Sequence, residues 1–245
     1  ANITNFLVTA INAGNSNFFT DQAFTKTGSY FTSNPAYYWP NDGSNLSFFA
    51  YSPSATDLGA TISITSASKT MTNFSPAAAI ASQKDFITAS ATGSKTNEST
   101  GVALTFAHRL AQIEIKAKNA NQGYVYKVQG VRIGQPVSQA TTFDFGTSAW
   151  TLGTTKSNYE VTYTSAKTLN ATIMATDGNN AMLIPQQLTA WTPDSDKTNT
   201  KKGAYIAVKV NITTASGARI YPDASVGEYD WVAVPVGTNW VAGQK

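Results

Sequence analysis

The chain has no cysteine and a single histidine, His108. A disulfide scaffold and any thiolate metal site are therefore excluded. One imidazole cannot by itself form a histidine metal centre. A nucleophile–histidine–carboxylate arrangement would need His108 beside both partners. It sits instead in a strand-like run, on the parity of Val102, Leu104 and Phe106, where it reads as a hydrogen-bonded or half-buried strand residue. Charge is scarce: 13% of the 245 residues are charged, against about 25% in ordinary soluble domains. The net charge is +3, and the longest cationic run is Lys201-Lys202. With no clustered basic patch, nucleic acid is not an expected partner, and an anionic membrane surface is disfavoured for the same reason. No stretch approaches the roughly 20 apolar residues that span a bilayer. The chain opens on Ala1 and not on Met, which reads as removal of a leader or as a start chosen for expression.

Motifs for chemistry are also missing. Gly130-Val-Arg-Ile-Gly134 lacks the third glycine and the following helix of a phosphate-cradling loop. Asp194 and Asp196 with Asn199, and the run Asp177-Gly178-Asn179-Asn180, have oxygen-ligand spacing. Neither has both the glycine and the distal glutamate of a calcium loop, so both read as polar turns. Asn-x-Ser/Thr triplets at Asn2, Asn45, Asn73, Asn97, Asn170 and Asn211 arise by chance in so Asn- and Thr-rich a chain. No catalytic residue, cofactor-binding residue or metal ligand is assigned, and no cofactor is expected.

What the sequence does contain is strand. Apolar residues make up 42% of the chain, and β-branched and aromatic types suit a pleated, half-buried surface. Strand-like runs recur with turn signals between them: Ile3 to Ile11, two runs within Asn17 to Phe31 meeting near Thr27-Gly28, Leu46 to Tyr51, 61–65 and Phe86 to Ala91. Asp42-Gly43 marks a tight turn. Residues 92–101 contain no large apolar side chain and form the best linker candidate, which divides the chain into an N-terminal sandwich over 1–98 and a C-terminal sandwich over 99–245. Further runs follow at 102–118, 124–133, 141–145, 159–163, 171–174, 181–184, 204–213 and 231–236. In 204–213, Ala204, Ile206, Val208, Val210 and Ile212 share one parity, with Lys209, Asn211 and Thr213 on the other. That pattern predicts a half-buried strand with one solvated side. In 102–118 the apolar parity flips: Val102, Leu104, Phe106 and Leu110 are even, Ala111, Ile113, Ile115 and Ala117 odd. A bulge or a change of sheet near Leu110-Ala111 produces such a flip; a short helix over Phe106–Ile115 is the rival.

Four runs resemble the fimbrillin family of type V pili from Gram-negative anaerobes. They are Tyr37-Tyr38-Trp39-Pro40 leading to Leu46-Ser-Phe-Phe-Ala-Tyr-Ser-Pro53, then Leu104-Thr-Phe-Ala-His-Arg-Leu-Ala-Gln-Ile-Glu-Ile115, Ala181-Met-Leu-Ile-Pro-Gln-Gln-Leu188, and Asn239-Trp240-Val-Ala-Gly243-Gln-Lys245. They occur in family order and span nearly the whole chain. The resemblance implies an all-β protein of two tandem transthyretin-like β-sandwich domains, the last strand missing after Lys245. It implies export as a lipoprotein precursor to the outer membrane, proteolytic trimming, and assembly with other pilus subunits by strand exchange. It makes Trp39, Pro40, Phe48, Tyr51, Pro185 and Gln186 structural residues.

The expected function is thus a non-enzymatic structural or tip subunit of a cell-surface fimbria, serving adhesion to a host or bacterial glycan or protein. Val232, Val234 and Val236 alternate with Trp231, Ala233 and Pro235; Pro235 places this strand at an edge or bulge, which makes the three valines a candidate strand-exchange edge. The alternative is a surface carbohydrate-binding module, signalled by an exposed pair among Trp150, Trp191 and Trp240. A third reading, a glycan-processing enzyme, would need two carboxylates facing across a cleft.

Overall fold

A computed structural model describes residues 3–169, 174–175, 180–192 and 203–245. Its strands are β1 (Asn5–Asn12), β2 (Asn17–Thr27), β3 (Tyr30–Ser33), β4 (Leu46–Ser52), β5 (Thr61–Ile64), β6 (Lys69–Thr72), β7 (Ile87–Gly93), β8 (Ala107–His108), β9 (Ala111–Ile113) and β10 (Lys116–Ala117). There follow β11 (Tyr124–Gly134), β12 (Ala140–Asp144), β13 (Ala149–Leu152), β14 (Tyr159–Thr168), β15 (Met174–Ala175), β16 (Ala181–Leu183), β17 (Tyr205–Thr214), β18 (Arg219–Tyr221) and β19 (Asp230–Pro235). One turn of helix, α1 (Ala55–Leu58), is capped by the Ser54 hydroxyl and closed by Gly59 at φ 62°, a left-handed position that suits glycine. The chain is almost all β, as composition predicts. Apart from 102–106, which joins no strand, the expected runs among the described residues become strands to within a few residues. β6, β13 and β18, each of three or four residues, escaped the sequence reading because so short a run carries little periodicity. Of the run expected at 171–174, only Met174 falls within the described residues, in β15.

The chain folds into two compact units. The contacts divide it otherwise than a single cut at 98/99 would. The first unit holds 1–76, 84–110 and 139–153, the second 77–83, 111–138 and 154–245. The reason lies in pairing. The β12–β13 hairpin joins β6 through Thr142↔Thr72, Phe143↔Met71 and Asp144↔Thr70, so this late segment belongs to the first unit. The expected linker, 92–101, is itself ordered there. It finishes β7 and makes a turn of 3-10 helix whose Ser94 and Asn97 form a reciprocal capping box.

In the first unit a six-stranded antiparallel sheet runs β3-β2-β1-β4-β7-β8, and a second sheet runs β13-β12-β6-β5. Strand alternation gives the larger sheet two apolar faces. Phe6, Val8, Ala10, Phe48 and Ala50 share one cluster. Tyr51 presents the opposite parity and meets Phe145 edge-on at 5.8 Å. Phe143 and Phe145 pack edge-on to Phe86 at 5.2 and 6.1 Å. Trp150 lies 4.8 Å from Phe143 and donates its indole N–H to the Arg109 carbonyl at 2.8 Å.

In the second unit a sheet runs β14-β11-β17, with β18 and β19 both on the far edge of β17. The short ladders β9–β16 and β10–β15 form separate two-stranded sheets in this unit. Register shifts between Val128 and Gly130 against both neighbours. That bulge lets Val128 and Val131, of opposite parity, both become fully buried. The solvated side expected for 204–213 is corrected by the structure. Ile206 and Val208 do pack on one core, but on the opposite parity Tyr205 and Ala207 are buried with Trp191, because Trp191, Trp231 and Ala233 cover that face.

Residues 102–118 contain no helix. The parity flip falls at the change of sheet. β8 pairs with β7 in the first unit, β9 pairs with β16 in the second, and the units divide between Leu110 and Ala111.

Candidate functional site

A groove of ≈ 820 Å³ lies within the first unit, on the Phe6/Phe48 face of the six-stranded sheet. Its floor follows from alternation in β1 and β4, which turns Phe6 and Phe48 to one side, and from the register shift of β2 opposite Val8 and Ala10, which brings Phe19 and Phe24, of opposite parity, to that same side. Phe31 of β3 closes on Phe6 at 4.8 Å between ring centroids, and Tyr37 stacks at 4.6 Å on Phe19, its hydroxyl donating to Gln22 Oε1 at 3.0 Å. Tyr30 and Tyr38 stand at the rim, 62% and 87% exposed. None of the lining residues carries a charge. No Asp, Glu, His, Lys or Arg lines it; its chemistry suits the burial of uncharged, apolar matter.

Across this groove runs an extended strap, residues 102–106. Val102, Leu104 and Phe106 are half-buried against the aromatic floor, while Ala103 and Thr105 are exposed. Phe106 lies 4.9 Å from Phe6. The strap belongs to no strand until Ala107, and among the described residues no main-chain hydrogen bond ties 102–105 to a neighbour. The parity of Val102, Leu104 and Phe106 marked a strand face, but sequence reasoning missed the groove beneath, because its lining comes from distant segments. A faint signal existed in Gly93. A Cβ there would lie 2.6 Å from Val102 and 3.3 Å from Trp39, so only glycine lets both side chains approach the sheet.

The residues expected to be structural fall into two places. In the first unit the Trp39 ring meets Phe48 edge-on at 6.1 Å. The Pro40 carbonyl accepts from the Gly43 N–H at 3.2 Å, closing the turn marked by Asp42-Gly43, and Asp42 Oδ1 accepts from the Ser44 N–H at 2.9 Å. Hydrogen bonds from Ser44, its main-chain N–H first and its side chain second, hold the Asp42 carboxyl below its ordinary range. Tyr51 is 1% exposed and donates to Asp21 Oδ1 at 2.8 Å; burial first, then the Asp21 carboxylate, pushes its pKa well above the ordinary tyrosine value.

In the second unit Pro185 follows buried Ile184, and Gln186 is a buried clamp. Its Oε1 accepts from the Val137 N–H at 2.7 Å, and its side-chain amide donates to the Val137 and Ile184 carbonyls, each at 3.0 Å. Its main chain exchanges two hydrogen bonds with Trp240, at 3.1 and 2.9 Å. One side chain thus satisfies both main-chain groups of Val137 and fixes the loop before β12 against the final segment. Val232 and Val234 are 42% and 55% exposed on β19, an edge strand among the described residues. Val236 lies just past that strand and packs on the core.

Other candidates for chemistry disperse. His108 is paired with Asp85 on the exposed side of β8, and among the described residues no further His, Cys, Asp or Glu gathers there. Of the carboxylate runs 177–180 and 194–199, only Asn180 lies within the described residues. Trp191 and Trp240 are buried in the second unit, and Trp150 sits in the aromatic core of the first, so these three form no exposed sugar-stacking pair. Gly130 and Gly134 are explained by packing. A Cβ on Gly134 would fall 2.1 Å from the Tyr205 ring, and one on Gly130 would fall 2.9 Å from the Val161 carbonyl oxygen and 3.6 Å from Trp231.

Comparison with curated protein sequences finds no match. Among solved structures the fold is similar to a fimbrial protein from Bacteroides vulgatus ATCC 8482, with a TM-score of 0.67 at 15% identity over 98% of this chain and 84% of that one. The fimbrial anchor protein Mfa2 from Porphyromonas gingivalis matches more distantly, with a TM-score of 0.37 at 9% identity over 89% of this chain and 73% of that one. The family model described as fimbrillin-like matches residues 1–245, and the chain belongs to that family.

Proposed function

We propose that this chain is a non-enzymatic structural or tip subunit of a cell-surface fimbria, built of transthyretin-like sandwich units, joined to neighbouring subunits by strand exchange and serving adhesion. The observation that carries this reading is the uncharged aromatic groove of the first unit beside a strap whose main chain at 102–105 makes no main-chain hydrogen bond among the described residues. Unpaired main chain next to an open apolar groove is what an added strand requires, the ladder supplying affinity and the groove receiving alternate side chains. Membership in the fimbrillin-like family supports the same role, and export to the outer membrane as a lipoprotein precursor belongs with it. The carbohydrate-binding alternative loses its tryptophan platform to burial.

The test compares this chain with a version extended at its C-terminus by an uncharged strand of about seven residues, which turns about four side chains to one face. Each side chain fully buried contributes about 1.5–3 kcal/mol before ordering costs, enough to decide between monomer and polymer. After protease trimming of the N-terminus, light scattering and electron microscopy should show head-to-tail fibres for the extended form, lost on Leu104→Asp in the strap. An extended, trimmed protein that stays monomeric at high concentration makes strand exchange wrong for this chain.

A further inference from the structure

Among the described residues β19 is the last strand on its edge, and it presents two exposed valines, a combination that invites edge-to-edge pairing. Its main chain has a definite polarity. The register against β17 runs unbroken from Tyr205↔Pro235 to Val210↔Asp230, and the Val236 N–H donates to the Ala204 carbonyl at 3.0 Å. In an antiparallel ladder, residues alternate between bonding the partner strand and facing away. Asp230, Val232, Val234 and Val236 therefore bond β17. The free edge is carried by Trp231, Ala233 and Pro235.

Those three residues offer little. Trp231 is closed on both sides: its N–H donates to Asp230 Oδ1 at 2.7 Å, and its carbonyl accepts from the Tyr221 hydroxyl at 2.9 Å. Tyr221 reaches it because β18 lies on the same edge of β17, opposite Ile212. Pro235 has no N–H to give. Among the described residues Ala233 is left as the single outward donor of the strand, with the Ala233 and Pro235 carbonyls as its acceptors. The closure is built from three separate devices, a carboxylate, a phenol and a proline, all directed at outward-facing atoms.

We propose that the free edge of β19 is a guarded edge, in which Asp230, Tyr221 and Pro235 prevent a second copy of the chain from adding a strand beside Val232 and Val234. The guard is independent of the strand-exchange reading. It acts on the second unit, whereas the groove lies within the first. Where strand exchange does occur, the guard leaves the groove as the open acceptor.

The test uses the full chain with Pro235→Ala alone, with Tyr221→Phe and Asp230→Ala together, and with all three. Sedimentation velocity gives the association state, circular dichroism the melting temperature, and amide exchange at Ala233 the location. The triple variant should associate at about tenfold lower concentration than the unmodified chain, since it regains a donor at position 235 and frees both main-chain groups of Trp231. The Ala233 amide should become protected as it does so. Adding Val234→Lys, a charge on the edge strand, should reverse the association. Pro235→Ala leaves the Trp231 contacts in place and covers the case in which the triple variant does not fold. A folded Pro235→Ala protein that stays as monomeric as the unmodified chain overturns the proposal. Association that leaves Ala233 exchange unchanged takes place elsewhere and overturns it equally.

Discussion

At the scale of single residues, the second unit shows how one buried polar group can replace a strand. Gln186 is 6% exposed, and a buried amide is costly unless its donors and acceptor are all used. Here all are used, on Val137 and Ile184. Gln186→Leu keeps the approximate volume but orphans the Val137 N–H and carbonyl. Each buried group left unpaired costs about 1–3 kcal/mol, so with two groups orphaned the variant should lose about 2–6 kcal/mol. Gln186→Glu restores the acceptor for the Val137 N–H and loses the two donors, and should fall in the same direction. Urea unfolding of the three proteins measures this; a loss under ~1 kcal/mol for Gln186→Leu would show that water replaces the clamp. The residue type was legible in the run Leu183-Ile184-Pro185-Gln186. Its partner was not, because Val137 lies 49 residues away, beyond any local pattern.

At the scale of elements, periodicity gave good access to long strands and poor access to anything unpaired. β1, β4, β11 and β17 were legible because a sheet with an apolar face imposes a period of two over many residues. The same signal in Val102, Leu104 and Phe106 marked a buried face correctly and the pairing incorrectly, since alternation reports what side chains face and is blind to what the main chain bonds. The strap keeps the parity of a strand while its main chain stays unladdered up to Ala107. The flip to Ala111 and Ile113 then reports the passage to a different sheet. This difference is measurable. Amides of 102–105 should exchange at least about a hundredfold faster than those of β1 and β4, which are paired on both edges and open only with larger unfolding. Equal protection of the strap and those central strands would show that the strap is laddered in solution.

At the scale of the whole molecule, the two units interleave in sequence but keep separate cores, and each core contains a buried tyrosine whose phenol is hard to ionise. In the first unit Tyr51, at 1% exposure, is held neutral by burial and by the carboxylate of Asp21. In the second, burial pushes Tyr159, at 2% exposure, from 10.0 up to about 12. A raised folded value means that the native state retains a proton which the unfolded chain gives up. The resulting stability is fully present below pH 10, the unfolded value, and is lost as pH rises through the folded one. For each such tyrosine the loss approaches about 1.4 kcal/mol per pH unit once the unfolded phenol is ionised. The urea midpoint should therefore hold steady from pH 7 to about 9.5 and fall between about pH 10 and 12. The tyrosine part is isolated by substitution. Tyr159→Phe removes the ionisable group and keeps the ring in place, and should flatten the fall for the second unit alone. Tyr51→Phe should do so for the first, after an initial loss of about 1 kcal/mol for the bond to Asp21. Fluorescence of Trp240 in the second core and of Trp150 in the first gives each unit its own reporter once the remaining tryptophans are changed to phenylalanine. If Tyr159→Phe leaves the alkaline slope of the Trp240 signal unchanged, that core does not hold its tyrosine in the neutral form, and the pH dependence arises from surface charge.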